Sequence, residues 1–155
     1  MSHGDTDSKQ TGWLILAYRL PGKPSAKRVY IWRKLKRLRA ERFAGTVWVL
    51  PATARNTEEF QWLSAEIPEL GGMAFLWESK SLIPGQDDAL QAAFIASIES
   101  EYREITESLQ ESVSDLPSLI RRYRSVTARD WFGSPLRETA RKSLAARRKS
   151  SGRIQ

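Results

Sequence analysis

The order of short apolar runs and helical periods in residues 12–80 most constrains what this chain can fold into. The run Trp13–Tyr18 is apolar throughout, as in a central strand that is covered on both faces. Two prolines and a glycine in residues 20–24 end this strand, because they cannot continue a ladder of backbone hydrogen bonds. A helical period then runs from Ser25, the expected N-cap, to about Arg39.

Two more strands, a second helix and a fourth strand complete this order. Residues 41–44 and 46–50 have the composition of paired strands, and Asn56 is the expected N-cap of the second helix. Met73–Trp77 is a further apolar strand. The order strand, helix, strand, strand, helix, strand is that of the split βαβ unit. The sequence therefore predicts an α+β fold with a ferredoxin-like βαββαβ sheet over residues 12–80.

After Pro84-Gly85 the apolar residues keep a helical period to nearly the end of the chain. We expect a long amphipathic helix over about 90–109, a shorter helix over 116–126 and a last helix over 135–148. The expected organisation is a disordered lead-in (1–11), the sheet domain (12–80), a helical extension packed on that domain (86–148) and a disordered basic tail (149–155).

Charge is divided unevenly along the chain, which has a net charge of +7. Residues 1–50 carry eleven Lys and Arg against three Asp and Glu, and residues 112–155 have the same balance. Residues 51–111 carry three basic and twelve acidic side chains. Basic blocks of this kind favour a polyanionic partner such as nucleic acid. The alternative is a solvated surface whose charges serve solubility.

The first predicted helix is the densest basic segment. Eight cations within sixteen residues face only one acid, Glu41: Lys27, Arg28, Arg33, Lys34, Lys36, Arg37, Arg39 and Arg42. Arginine binds phosphate through two parallel hydrogen bonds and reads guanine in the major groove. The residues predicted to bind DNA are Arg19, Lys23, Lys27, Arg28, Arg33, Lys34, Lys36 and Arg37. The alternative is a helix that lies on a sheet with an ordinary solvated outer face.

The tryptophans have two possible uses, because an indole ring can stack on a nucleic-acid base or fill a core. Trp13, Trp48 and Trp77 lie among apolar residues and are predicted to be core. Trp32 lies in the basic helix, and both uses stay open for it.

Side chains suited to catalysis are scarce. The chain has no cysteine and one histidine, His3, so thiolate, disulfide and multi-histidine metal chemistry are excluded. Asp87-Asp88 fits a helix cap or a surface role better than a Mg²⁺ site. We therefore expect no catalytic residue, no metal and no cofactor. The longest apolar run has six residues, which is too short to cross a membrane, and we expect a cytoplasmic protein.

Five segments together resemble the N-terminal region of the ChrB family. They are Trp13–Pro21, Ser25–Leu35, Val47–Pro51, Ser100–Glu104 and Arg129–Phe132. Their shared order and spacing carry the resemblance, which covers about residues 12–148. More distantly, the basic helix and the hairpin after it resemble the Cas2-like module of PaaX-type repressors.

The ChrB family comprises transcriptional regulators of bacterial chromate-resistance operons. The resemblance therefore implies a non-enzymatic regulator that binds operator DNA as a homodimer, since two-fold operators match two-fold proteins. The family's C-terminal domain, associated with the chromate response, is not found in these 155 residues. We expect constitutive DNA binding on which chromate acts no differently from sulfate. An anion could also lie among Arg121, Arg122 and Arg124.

Two other functions stay open. The first is a Cas2-like metal-dependent nuclease. Such nucleases carry an aspartate at the end of the first strand, where this chain has Tyr18-Arg19, and an arginine would repel the metal ion. The second is a protein-interaction module whose acidic middle binds a basic partner. The choice between DNA and RNA, and between a sheet edge and the long helix as the dimer interface, also stays open.

Overall fold

The computed structural model describes residues 12–111 and 115–153, which form two compact units that divide between Pro84 and Gly85. The predictions for residues 1–11, and for residues 154–155 of the basic tail, lie outside the described residues. In chain order the elements are β1 (Trp13–Arg19), α1 (Ser25–Arg37), β2 (Glu41–Ala44), β3 (Val47–Pro51), α2 (Ala54–Glu69), β4 (Met73–Ser79), α3 (Gln86–Ser108), α4 (Leu116–Thr127) and α5 (Leu136–Gly152). The α+β class is confirmed.

The four strands form one sheet in the order β2-β3-β1-β4, and every neighbouring pair is antiparallel. β1 lies in the middle, where Leu16 pairs with Trp48 of β3 and with Leu76 of β4. Leu14 and Leu16 of β1 and Leu50 of β3 are almost completely buried. Trp13 and Leu14 are successive residues that point to opposite faces, and both are buried, so coverage on both faces explains the apolar run at the start of β1.

The opposite face of the sheet is more open at β4. Met73, Phe75 and Trp77 alternate along the strand and are each about half-exposed, and the rings of Phe75 and Trp77 stack at 5.6 Å. The prediction that Trp77 belongs to the core is therefore wrong: Trp77 shares the open face of the edge strand β4 with Met73 and Phe75, because every second residue of a strand points to the same face. The same prediction is confirmed for Trp13 and Trp48, which are 3% and 2% exposed.

The second unit consists of α3, α4 and α5. Tyr102 on α3 is fully buried in its core, and its hydroxyl donates to Asp130 Oδ2 at 2.9 Å. Burial and this hydrogen bond raise the pKa of Tyr102 far above its usual range. Among the described residues, no helix is both long and apolar enough to cross a membrane.

The last helix is longer than predicted. α5 continues to Gly152, so residues 149–152 of the expected disordered tail are helical. Alanine, arginine and lysine dominate residues 145–149, and these are strong helix formers that outweigh the polar character of the segment. Ser134 does cap the start of α5, since its hydroxyl accepts from the backbone N–H of Leu136 at 3.2 Å.

The start of α2 also differs from the prediction. Thr53, rather than Asn56, is the N-cap, and its hydroxyl accepts from the Asn56 backbone N–H at 3.1 Å. The buried Asn56 side chain instead donates to the Pro51 carbonyl at 3.0 Å. Asn56 thus ties the first turn of α2 to the end of β3, a long-range role that the capping pattern does not reveal.

Candidate nucleic-acid interface

Helix α1 presents a different set of cations on each of three sides. Ile31 and Leu35 are completely buried and fix the side that faces the core. Successive residues are rotated by about 100° in an α-helix. Lys27 and Lys34 therefore lie on one flank, Arg28 lies on the other flank, and the remaining cations point outward.

The first flank contacts α2. Lys27 Nζ donates to the Leu70 carbonyl at 3.2 Å, and Lys34 Nζ lies 2.7 Å from Glu66 Oε2. Tyr30 also donates to Glu66, and its ring centroid is 4.6 Å from Lys34 Nζ. Two residues predicted to bind DNA are thus already engaged in holding α1 to α2.

The Lys34–Glu66 pair shifts both pKa values. The hydrogen bond to Glu66 is the main cause that raises the pKa of Lys34. Partial burial acts to raise the pKa of Glu66, but the hydrogen bonds from Lys34 and Tyr30 outweigh it and lower that pKa. Each charge stabilises the other, so the pair contributes to stability when both groups are ionised.

We expect Glu66→Gln to lower the free energy of unfolding by less than about 1 kcal/mol at pH 7, because the pair is partly exposed. A carboxylate with a lowered folded-state pKa stabilises the fold above its unfolded pKa and loses this effect as the pH falls through the folded pKa. Urea titrations should therefore show the two proteins converging from pH 5 to pH 3. Glu59→Gln on the same helix, where no ion pair is seen, is the control, and a difference that stays constant with pH would contradict this account.

The outward side of α1 carries Arg33, Lys36 and Arg37, all of which are exposed. Lys36 Nζ lies 5.9 Å from the centroid of the Trp32 ring. Within the described residues, Arg33 and Arg37 make no ion pair or hydrogen bond to an acid. We call these three residues the outward stripe. The fold leaves the charges of Arg33 and Arg37 without an acidic partner, whereas burial raises the pKa of Glu41 and Lys36 acts to lower it.

The second flank of α1 borders a cleft of about 370 Å³, the α1 cleft. Its walls come from the end of β1, the first turns of α1 and the β2–β3 hairpin. The side chains that matter for its chemistry are Tyr18, Arg19, Arg28, Trp32, Arg42 and Trp48. Three of these are arginines and none of the lining residues is acidic. Trp32, for which the sequence leaves both uses open, lies on this wall with 44% of its surface exposed.

Arg42 and Trp48 come together through strand pairing. They are direct partners in the β2–β3 ladder, and the Arg42 guanidinium lies 5.9 Å from the centroid of the Trp48 ring. Burial raises the pKa of Tyr18, while Trp48, Arg42 and Arg28 act to lower it. Both arginines therefore lie close enough to the Tyr18 hydroxyl to affect its pKa.

Arg42 belongs to the basic segment but is not among the residues predicted to bind DNA, and the sequence predicts no binding role for Tyr18. The signal available was the predicted hairpin, whose register sets Arg42 opposite Trp48. Lys23, which is predicted to bind DNA, is exposed in the loop between β1 and α1. Arg19, which is also predicted to bind DNA, is exposed at the end of β1 on the wall of the cleft.

Only two of the three arginines that α4 is predicted to offer to an anion are without an acidic partner in the described structure. Arg122 forms an ion pair with Glu104 of α3, whereas Arg121 and Arg124 are exposed. An anion site there stays a prediction. Asp87 and Asp88 lie in the first turn of α3, and the described part of the chain has no group of three His, Cys, Asp or Glu residues that could hold a metal ion.

Fold and charge thus define an α+β domain whose first helix carries exposed arginines without acidic partners on its outward side. Residues 28–111 match the sequence model of the family described as protein ChrB, N-terminal, and this chain belongs to that family. The match contains nearly all of α1, including the outward stripe, and continues to the end of α3. It supports a role like that of a chromate-resistance regulator. No curated protein and no solved structure matches the chain.

Proposed function

We propose that this chain is a DNA-binding transcriptional regulator of a chromate- or oxyanion-resistance operon. The observation that carries the proposal is the outward stripe, because exposed arginines without acidic partners are positioned to bind phosphate. Arg19, Arg28 and Arg42 extend the basic surface around the end of β1. Membership of the ChrB N-terminal family supports the biological context.

We infer that the first unit is a ferredoxin-like domain. The element order βαββαβ and the strand order β2-β3-β1-β4 support this. In that fold the two strands of each βαβ half are separated by one strand of the other half, as β3 separates β1 from β2 here. The regulator would act in the cytoplasm as a homodimer on a two-fold operator, so that one outward stripe contacts each half-site.

The proposal is tested by titrating a fluorescent duplex from the chain's own upstream region with the full chain, beside a shuffled duplex of equal length. We expect tighter binding of the upstream duplex, because base contacts or DNA shape add to the phosphate contacts. Equal and weak affinity for both duplexes would contradict a regulatory role.

The same samples separate a regulator from a nuclease. We expect no cleavage of DNA or RNA with Mg²⁺ or Mn²⁺, because Tyr18-Arg19 ends β1 where a metal-binding nuclease needs a carboxylate. Metal-dependent cleavage that disappears on substituting Asp87 and Asp88 would favour the enzyme instead.

A further inference from the structure

The α1 cleft contains hydrogen-bond donors that the fold leaves without acceptors. Trp48 is 2% exposed, and its buried Nε1–H makes no hydrogen bond. Trp48 lies near enough to the Tyr18 hydroxyl to oppose the rise that burial causes in the pKa of Tyr18. Trp48 Nε1 and the Tyr18 hydroxyl oxygen nevertheless do not reach hydrogen-bond geometry. A buried donor without a partner costs roughly 1–3 kcal/mol, so its position in a cleft wall indicates a ligand that accepts.

The charge of the cleft indicates the same class of ligand. Arg28 and Arg42 make no ion pair within the described structure, and the lining has no carboxylate. The start of α1 also borders the cleft through Ser25, and no side chain caps the backbone N–H groups of its first turn. A helix N-terminus with open N–H groups attracts anions.

We propose that the α1 cleft binds a tetrahedral oxyanion of the phosphate type, held by Arg28, Arg42 and the Trp48 indole N–H. The volume of about 370 Å³ exceeds that of a single oxyanion. The cleft therefore accepts either a free oxyanion or the phosphate of a larger molecule such as a DNA backbone. The proposal concerns the cleft alone and holds whether or not the outward stripe binds DNA.

The test is a titration of the ¹⁵N-labelled full chain with inorganic phosphate at constant ionic strength, observed at the indole N–H signals. The Trp48 signal is assigned as the one that is missing in Trp48→Phe. We expect this signal to shift saturably, because its N–H gains a charged acceptor. A Trp48 signal that does not move, or that moves linearly like the other indole signals, would overturn the proposal.

Arg42→Met removes one cation of β2 from the cleft while keeping most of the side-chain length, and Arg28→Met does the same for a cation of α1. We expect each variant to bind phosphate about tenfold or more weakly, as for the loss of a charge-assisted hydrogen bond. Arg55→Met removes the same charge from the start of α2, outside both the cleft and the outward stripe, and should leave phosphate affinity unchanged. Equal weakening in all three variants would show a general charge effect and overturn the assigned site.

A second titration identifies the source of the oxyanion. If a short DNA duplex shifts the Trp48 signal and phosphate competes with it, the ligand is a backbone phosphate. If phosphate shifts the signal and DNA does not, the ligand is a free oxyanion. Both results support the site, and because phosphate binding is measured without DNA, failure of the DNA-binding proposal is seen separately.

Discussion

Reversing the charge of Arg33 and Arg37 together should weaken binding to duplex DNA about a hundredfold or more and leave the fold intact. Both side chains are exposed, lie one helical turn apart on α1 and make no ion pair in the described structure. Two lost phosphate contacts at about 1–2 kcal/mol each, together with new repulsion, correspond to roughly a hundredfold loss of affinity or more. Fluorescence anisotropy measures the affinity, and circular dichroism with thermal unfolding reports the fold.

The matched control is Arg55→Glu with Lys80→Glu. These two exposed cations belong to the same unit, and their reversal changes the net charge equally, but they lie at the start of α2 and just after β4. We expect the control to retain most of its DNA affinity. A stripe variant that binds as tightly as the unchanged chain while folded would contradict the assignment of α1.

Gly72→Ala should destabilise the first unit by about 3 kcal/mol, the upper range for overpacking a dense site. A Cβ at Gly72 would collide with the backbone carbonyl of Arg19, and it would lie 2.8 Å from Leu20 Cδ2 and 2.9 Å from Ile67 Cγ2. The carbonyl cannot move unless the end of β1 moves. Urea unfolding measures the free energy of unfolding of this variant. We also expect the variant to bind phosphate more weakly, because Arg19 and Leu20 line the α1 cleft.

Gly22→Ala provides the comparison for this change. Its added Cβ would meet nothing within 4 Å, so we expect an effect within about 1 kcal/mol of zero or a slight gain from the stiffer unfolded chain. Equal stability of the two variants would show that the close approach of Gly72 to β1 and α2 does not constrain the fold.

The regular elements could be predicted because each has a local signal. The apolar run of β1, the 3.6-residue period of α3 and the proline-glycine breaks are all visible in the sequence, and the elements follow in the predicted order. The predictions are wrong where contacts between distant parts of the chain determine the local structure. The helical period predicts α1 to about Arg39, but α1 ends at Arg37, and Arg39 adopts a left-handed conformation with φ of 63°.

In the candidate site, too, local features could be predicted and long-range contacts could not. That α1 is a basic helix follows from composition alone, and the exposure of Arg33 and Arg37 follows from its period. The engagement of Lys27 and Lys34 with α2 could not be predicted, because Leu70 and Glu66 lie 43 and 32 residues away along the chain. The α1 cleft likewise depends on the β2–β3 register, which brings Arg42 to Trp48.

The salt dependence of DNA binding tests the central claim most directly. Six cations of the outward stripe and the α1 cleft face solvent: Arg19, Arg28, Arg33, Lys36, Arg37 and Arg42. If all six contact phosphates, the logarithm of the association constant should fall against the logarithm of salt concentration with a slope of about −5. The Arg33→Glu, Arg37→Glu double variant should flatten this slope by about 2. A slope near zero, or the same slope in both proteins, would contradict nucleic-acid binding through α1.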